Sequence, residues 1–145
     1  MRALLQRVSR AAVRVEGEEI ACIGPGLLVL LGVASVDAPG AEERLASRCG
    51  EFRIFEDEEG RMNRSVREIG GEALVVPQFT LVADVSRGWR PSFDPAAPPD
   101  RAERAFLVFC EALSSQGIAT KRGRFGASME VELTNMGPAT FLLES

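Results

Sequence analysis

Two residue types are missing from this chain, and their absence limits the chemistry that it can perform. Among its 145 residues there is no histidine and no tyrosine. Without histidine, a Ser-His-Asp triad, a Cys-His pair and a histidine-ligated zinc site are all excluded. Any catalysis must therefore come from carboxylates, hydroxyls, backbone groups or the substrate itself. We expect neither a metal ion nor another cofactor.

Cysteine is scarce, and its spacing indicates neither a disulfide framework nor a metal site. Cys22, Cys49 and Cys110 lie far apart and form no Cys-x-x-Cys pair. An odd, dispersed set is typical of buried thiols in a reducing compartment, so we expect a cytoplasmic protein. Long apolar runs are also missing. The longest, residues 26–34, covers about half a membrane span, so no transmembrane helix is expected.

The charge distribution limits the kind of nucleic-acid contact that the chain can make. The formal net charge is −4, which does not fit a protein that coats nucleic acid through a broad basic face. Basic residues nevertheless cluster at positions 87–90 and 121–124. The acidic run at 56–59 is interpreted as a solvated turn rather than a metal site. Contact with a small part of an RNA fits this distribution, whereas extensive wrapping of RNA does not.

The length and the apolar pattern predict one strand-rich α/β domain over residues 1–145. Strands are predicted at residues 2–8, 12–16, 18–23, 27–33, 73–76, 118–121, 128–134 and 139–143, with 27–33 covered on both faces. One helix is predicted from Pro39. A second, from Pro98, has its buried face at Ala102, Ala105, Phe106, Phe109 and Leu113. Residues 56–72 and 84–99 are predicted to be loops.

The segment Pro77-Gln78-Phe79-Thr80-Leu81 follows the buried strand predicted at 73–76. Strand ends beside loops commonly carry binding groups, because the scaffold holding them is rigid. Gln78 both donates and accepts hydrogen bonds, and Thr80 offers a hydroxyl. Taken alone, the segment is more typical of an ordinary strand end with a buried Phe and a Thr at a turn.

Two further segments lie closer to the C-terminus. Residues 135–140 contain the step Gly137-Pro138, which is ordinarily a turn between strands. Residues 124–129 place Phe125 and Met129 beside basic and small residues, a combination that suits stacking against a nucleic-acid base. Taken alone, residues 135–140 are more typical of a plain turn, and residues 124–129 of a Gly-bearing turn with two core residues.

Taken together, in this order and spacing, the three segments resemble the D-aminoacyl-tRNA deacylase family. The hallmarks of that family are a Ser-Gln-Phe-Thr-Leu segment and an Asn-x-Gly-Pro-Val-Thr segment, which correspond here to residues 77–81 and 135–140. The likeness also includes residues 1–9, Gly32 and the run at 87–93, and ends at Phe141. It extends over nearly the whole chain.

The resemblance implies a three-layer α/β/β domain that forms a homodimer with active sites at the subunit interface. It implies hydrolysis of D-aminoacyl-tRNA, with glycyl-tRNA mischarged on tRNA-Ala as a secondary substrate. Gln78, Phe79 and Thr80 are implied to be catalytic, with Pro77 beside them in the substrate pocket.

The resemblance also assigns the remaining candidate residues. Phe125 and Met129 are implied to contact the 3′ terminal adenosine of the tRNA. Gly137-Pro138 is implied to be cis and to enter the partner's site as a backbone wedge. All L-amino acids project their side chain in one direction from a fixed amine and ester, so a rigid wall there excludes them as a class.

Two positions depart from the family pattern. Pro77 replaces the usual Ser, which removes a hydroxyl and a backbone N–H. A relaxed-specificity deacylase acting on small L-aminoacyl-tRNA is therefore one alternative, and a non-catalytic module that binds the 3′ end of RNA is another. A small-molecule esterase is a third.

Trp89 stands where a smaller polar residue is common, and we predict that it either packs over its loop or contacts RNA.

Overall fold

One long N-terminal strand organises the sheet of the computed structural model, which describes residues 1–145. In chain order the strands are β1 (Arg2–Val15), β2 (Glu18–Ile23), β3 (Gly26–Gly32), β4 (Phe55–Glu56), β5 (Met62–Arg64), β6 (Glu72–Pro77), β7 (Ala119–Arg122) and β8 (Glu130–Glu144). The first half of β1 pairs antiparallel with β3, and its second half pairs with β2. Along its other edge β1 pairs with β8. Strands β3, β6 and β7 continue the sheet as parallel neighbours.

The central strands β3 and β6 are covered on both faces, as the apolar run at 27–33 predicts. Leu27 and Val29 of β3 belong to the larger core, which also contains the buried helix residues. Leu28 of β3 and Leu74 of β6 belong to a second core, together with Val13 from the far half of β1. Because successive strand residues point to opposite faces, the helices lie on one side of β3 and β6, and β2 with the far half of β1 lies on the other.

Two helices cover one face of the sheet, and the buried side of the second agrees with the sequence pattern. α1 (Ala41–Glu51) begins two residues after Pro39, and α2 (Pro99–Ser114) has Pro99 in its first turn, where the missing N–H costs nothing. All five residues predicted for the inner face of α2 are buried. Neither helix is long and apolar enough to cross a lipid bilayer.

Three predictions of local structure are wrong. Residues 56–72 are not simply a loop, because β4 and β5 form a short antiparallel hairpin there. Strands of two or three mostly exposed residues carry no detectable apolar periodicity. The strands predicted at 2–8 and 12–16 are one continuous strand, and Glu16 lies beyond it in a turn with φ 52°. The two closing strands are likewise one strand, β8.

The pairing of β8 with β1 slips around the Gly-Pro step. Gln6 pairs with Thr140 and Val8 with Asn135, so that one β1 residue, Arg7, lies opposite the four β8 residues 136–139. The surplus residues have no partners in the ladder and must leave its plane, as in a large β-bulge. Gly137-Pro138 is therefore an exposed protrusion from a continuous strand rather than a turn between two strands.

Candidate active site

A cavity of about 490 Å³ opens at the carboxyl end of β6. Its wall contains Val76 of β6, Leu31 of β3, Ala102 and Phe106 of α2, and Ala127 from the segment before β8. Most of the lining is apolar, and the volume is in the range typical of small-molecule sites. Gln78 is the only polar side chain in the wall, and no ionisable side chain lines it.

Five predicted site residues meet at this cavity: Pro77, Gln78, Phe79, Phe125 and Met129 all line it. They come from chain segments about 45 residues apart. The parallel pairing of β6 with β7 brings them together, since parallel strands end at the same edge of a sheet. A hydrogen bond of 2.8 Å from the Gly123 N–H to the Val75 carbonyl extends that pairing toward the segment 124–129.

Aromatic contacts fix two parts of the cavity wall. The rings of Phe79 and Phe93 meet edge to face with centroids 5.0 Å apart, and those of Phe106 and Phe125 are tilted with centroids 6.2 Å apart. Both geometries are favourable for aromatic pairs. Phe79 is 56% exposed, so the interpretation of this residue as an ordinary buried Phe at a strand end is wrong.

The segment after β6 folds into a single 3₁₀ turn at residues 79–82, which lies against β3. The Gln78 N–H donates to the Leu31 carbonyl over 2.8 Å, which fixes where the turn begins. The N–H groups of Phe79 and Thr80, in the first turn, have no acceptor within the helix. Gly32 makes the close approach possible, because a Cβ atom there would lie 3.0 Å from Val82 Cγ1 and 3.1 Å from the Gln78 carbonyl oxygen.

Thr80 does not line the cavity, which differs from the implied arrangement. It lies on the exposed side of the turn, and its hydroxyl accepts a hydrogen bond from Gln78 Nε2. A threonine nucleophile needs a nearby base to remove its proton, and the cavity wall contains none. In this arrangement Thr80 orients Gln78.

The Gly137-Pro138 step is cis and does not line the cavity. Two side chains hold its base. Asn135 accepts a hydrogen bond from the Ala139 N–H (2.7 Å) and donates one to the Ala139 carbonyl (3.2 Å). From the other strand, Arg7 Nε donates to the Met136 carbonyl over 2.9 Å.

Arg7 is the residue of this region that the sequence analysis missed. Its side chain is buried, and it also donates to the Ile54 carbonyl over 2.8 Å. A signal was available, because Ala3, Leu5 and Arg7 share the inward-facing parity of β1. A charged side chain at an inward position needs buried hydrogen-bond acceptors, so the sequence pattern indicates a specific structural role for Arg7.

The buried thiols are not suited to act as nucleophiles. Burial raises the pKa of the Cys49 thiol to about 12, and burial likewise raises the pKa of the Cys110 thiol to about 12. Neither residue lines the cavity described above. No group of three or more Cys, Asp and Glu side chains is placed to hold a metal ion.

Comparison with known proteins gives matches along essentially the whole chain. Residues 4–144 match the family described as D-Tyr-tRNA(Tyr) deacylase. A protein of Cereibacter sphaeroides (strain KD131) named D-aminoacyl-tRNA deacylase is 54% identical over 145 residues, which is 100% of both chains. One of the same name from Symbiobacterium thermophilum is 52% identical and covers 100% of this chain and 96% of its own length. The solved structure of the c-Myc DNA Unwinding Element Binding Protein is 41% identical, with a TM-score of 0.93 over 100% of this chain and 99% of its own.

The thiol environments predict selective alkylation of the native protein. At pH 8, a thiol of pKa about 12 is ionised in roughly one molecule in ten thousand, so iodoacetamide should modify Cys22 before Cys49 and Cys110. Peptide mass spectrometry after timed alkylation checks the order, with the denatured protein as a control in which all three react. Early modification of Cys49 in the folded protein would contradict the assigned burial.

Proposed function

Because the chain belongs to the D-Tyr-tRNA(Tyr) deacylase family, we propose that it hydrolyses the ester bond of D-aminoacyl-tRNA. Its family makes it a hydrolase. The products are free tRNA and a D-amino acid, so the activity is a form of chiral proofreading for translation in the cytoplasm. The observation that carries the proposal is the 54% identity over the full chain to a protein named for this activity.

The cavity fits the end of such a substrate. In the proposed complex Phe125 and Met129 contact the terminal adenine, since aromatic and thioether side chains suit a flat, polarisable ring. The aminoacyl ester lies toward Pro77, Gln78 and Phe79. The apolar wall tolerates many side chains, because differences of one methylene are worth only about 1–3 kcal/mol in such pockets. Broad acceptance of D-side chains follows.

The mechanism that we propose uses the substrate and the backbone instead of a catalytic side chain. The vicinal 2′-hydroxyl of the tRNA helps to activate a water, whose oxygen attacks the ester carbonyl. The bond to the 3′ oxygen then breaks, and that oxygen takes up a proton. The N–H groups of Phe79 and Thr80 stabilise the oxyanion, a role worth about 2.7–4 kcal/mol per donor in well-studied enzymes.

This mechanism predicts that removal of the Thr80 hydroxyl lowers the hydrolysis rate less than removal of the substrate's 2′-hydroxyl. Thr80→Ala should keep the rate of D-Tyr-tRNA hydrolysis within about tenfold, because it leaves the backbone N–H in place. Replacing the terminal 2′-hydroxyl with hydrogen should cost more than about 100-fold, the usual scale of assisted proton transfer. Single-turnover release of labelled amino acid measures both.

The same assay separates the competing mechanisms. A loss of several orders of magnitude in Thr80→Ala would restore Thr80 as the nucleophile. Full activity on the 2′-deoxy substrate would instead indicate an esterase that does not use the tRNA hydroxyl. No release of the D-amino acid by the wild-type protein would contradict the deacylase assignment itself.

We further propose that the protein is a homodimer in which Gly137-Pro138 of one subunit enters the cavity of the other. Three features of the step support this proposal: its exposure, its position outside the cavity of its own chain, and the hydrogen bonds that Arg7 donates and Asn135 accepts at its base. A firmly held backbone wall beside the α-carbon excludes every L-side chain whatever its size. Glycine has no side chain to exclude, so glycyl-tRNA mischarged on tRNA-Ala is the expected secondary substrate.

Mixed dimers test whether the wall comes from the partner. Gly137 has φ 131°, and a Cβ atom there would lie 2.8 Å from Arg7 Nη2, so Gly137→Ala should displace the wall and admit L-Tyr-tRNA. Ala127→Trp should fill the cavity and abolish cleavage. In a mixed dimer, the Gly137→Ala subunit has the only open cavity, and the Ala127→Trp subunit has the only intact Gly137-Pro138 wall. If the wall of one subunit enters the cavity of the other, cleavage by the mixed dimer should again be D-specific.

The mixed dimers, purified through two different affinity tags, are assayed with D- and L-Tyr-tRNA. Cleavage of the L-ester by the mixed dimer would place the wall in the same subunit as the cavity. Sedimentation of the wild-type protein as a monomer would contradict the dimer.

Two alternative functions rest on particular observations. Pro77 lines the cavity where the family usually has Ser, so relaxed specificity toward small L-aminoacyl-tRNA is the first. The lack of an ionisable group in the wall favours the second, a non-catalytic module that binds the 3′ end of RNA through Phe125 and Met129. Turnover of an aminoacyl-tRNA separates the second from the deacylase, and turnover of L-Ala-tRNA tests the first.

A further inference from the structure

The loop at residues 84–92 presents a tryptophan to solvent. Reciprocal backbone hydrogen bonds between Asp84 and Ser92, of 2.8 and 2.9 Å, close the loop at its base. The Asp84 carboxylate accepts a further bond from the Ser86 N–H over 2.9 Å. Trp89 lies near the tip and is fully exposed, at 103%. Of the two predictions made for Trp89, packing over its own loop is therefore wrong.

The arginines beside Trp89 are also unusual, because they have no partner within the chain. Eleven of the sixteen arginines donate a hydrogen bond or form an ion pair within the protein. The five side chains without such a partner are Arg87, Arg90, Arg104, Arg122 and Arg124. Two of these five flank Trp89, and a third, Arg124, directly precedes the cavity residue Phe125. The guanidinium groups in this part of the surface are free to bind anions.

The loop is joined to the cavity at both of its ends. It follows Val82, the last residue of the 3₁₀ turn that carries Phe79. Beyond it, Phe93 packs edge to face on Phe79, and Ala96 lines the cavity wall. The loop that carries Arg87, Trp89 and Arg90 therefore lies at the rim of the proposed adenosine pocket.

We propose that the loop at 84–92 binds the unpaired nucleotides that precede the terminal adenosine of the tRNA. Trp89 stacks on one of their bases, and Arg87 and Arg90 contact the neighbouring phosphates. Stacking on an indole is independent of base identity, and a guanidinium matches the geometry of a phosphate. The inference rests on the proposed function, since it places the rest of the 3′ end of the same substrate.

The protein carries its own probe for this contact. Trp89 is the only tryptophan and there is no tyrosine, so the emission excited at 295 nm comes from this one side chain. The probe ligand is an uncharged-tRNA minihelix ending in an unpaired ACCA segment, with the blunt minihelix as its control. The ACCA form should quench the Trp89 emission with saturation, and the blunt form should not.

Substitutions at Trp89 test its contribution to turnover. Trp89→Ala should raise KM for D-Tyr-tRNA by about 5- to 150-fold, the usual scale for loss of one stacked base, and should change kcat much less. Trp89→Phe should recover most of the affinity because the ring still stacks. On 3′-D-tyrosyl-adenosine, which lacks the preceding nucleotides, the loss in Trp89→Ala should be at least fivefold smaller. Val36→Ala removes another exposed apolar side chain, 88% exposed, and serves as the matched control.

The two arginines are tested through the salt dependence of binding. If each contacts one phosphate of a single strand, the double variant Arg87→Ala, Arg90→Ala should reduce the slope of log affinity against log salt by about 1.4. Arg61→Ala removes a similarly exposed guanidinium, which pairs with Glu59, and should leave the slope unchanged.

Each result decides between the inference and its rejection. Unchanged Trp89 emission with the ACCA minihelix, or equal KM values for Trp89→Ala and the wild type, would overturn it. Failure of the proposed function is a separate result, because the emission and salt measurements need no catalysis. If the wild type bound the ACCA end through Trp89 but released no D-amino acid, the loop would stand as an RNA-end site and the deacylase proposal would fall.

Discussion

The buried guanidinium of Arg7 is the interaction on which the Gly-Pro protrusion depends. A charged group at an inward position of a strand is costly unless every donor finds an acceptor. Arg7 bonds to the Met136 and Ile54 carbonyls, and its third nitrogen lies 3.4 Å from a carboxylate oxygen of Glu56. It thereby occupies the place opposite the surplus residues of β8 and ties them to the segment that leads into the β4–β5 hairpin. The register slip between β1 and β8 becomes a fixed feature of the fold rather than a loose loop.

The cavity at the end of β6 is built with few polar groups. Parallel pairing with β7 brings two distant segments to one edge of the sheet, and Gly32 lets the 3₁₀ turn lie close against β3. The resulting wall has one polar side chain and no charge. Because no ionisable side chain lines the wall, the mechanism that we propose takes its chemistry from backbone N–H groups and from the substrate. The exposed loop that carries Trp89 offers a flat ring and free guanidinium groups. In the proposed complex these groups bind RNA without distinguishing one base from another.

The sequence predicted the parts of the structure that repeat a regular pattern. The run at 27–33 indicated a strand buried on both sides, and the spacing along α2 indicated all of its inward residues. The convergence of Pro77, Gln78, Phe79, Phe125 and Met129 could be expected only from the family resemblance. Sequence patterns failed where long-range pairing decides the outcome. Nothing local shows that β8 continues past Gly137-Pro138, because the continuity depends on β1, and Thr80 lies outside the cavity because the chain turns immediately after Phe79.

The central claim is that this protein separates the two hands of an aminoacyl ester by means of a backbone wall. Its most direct test is the deacylation of matched D-Tyr-tRNA and L-Tyr-tRNA by the purified wild-type protein, without added metal. We expect rapid loss of the D-ester, while the L-ester decays no faster than in buffer. Equal cleavage of both esters would contradict the claim, and would direct attention to Pro77 as the position at which this chain departs from its family.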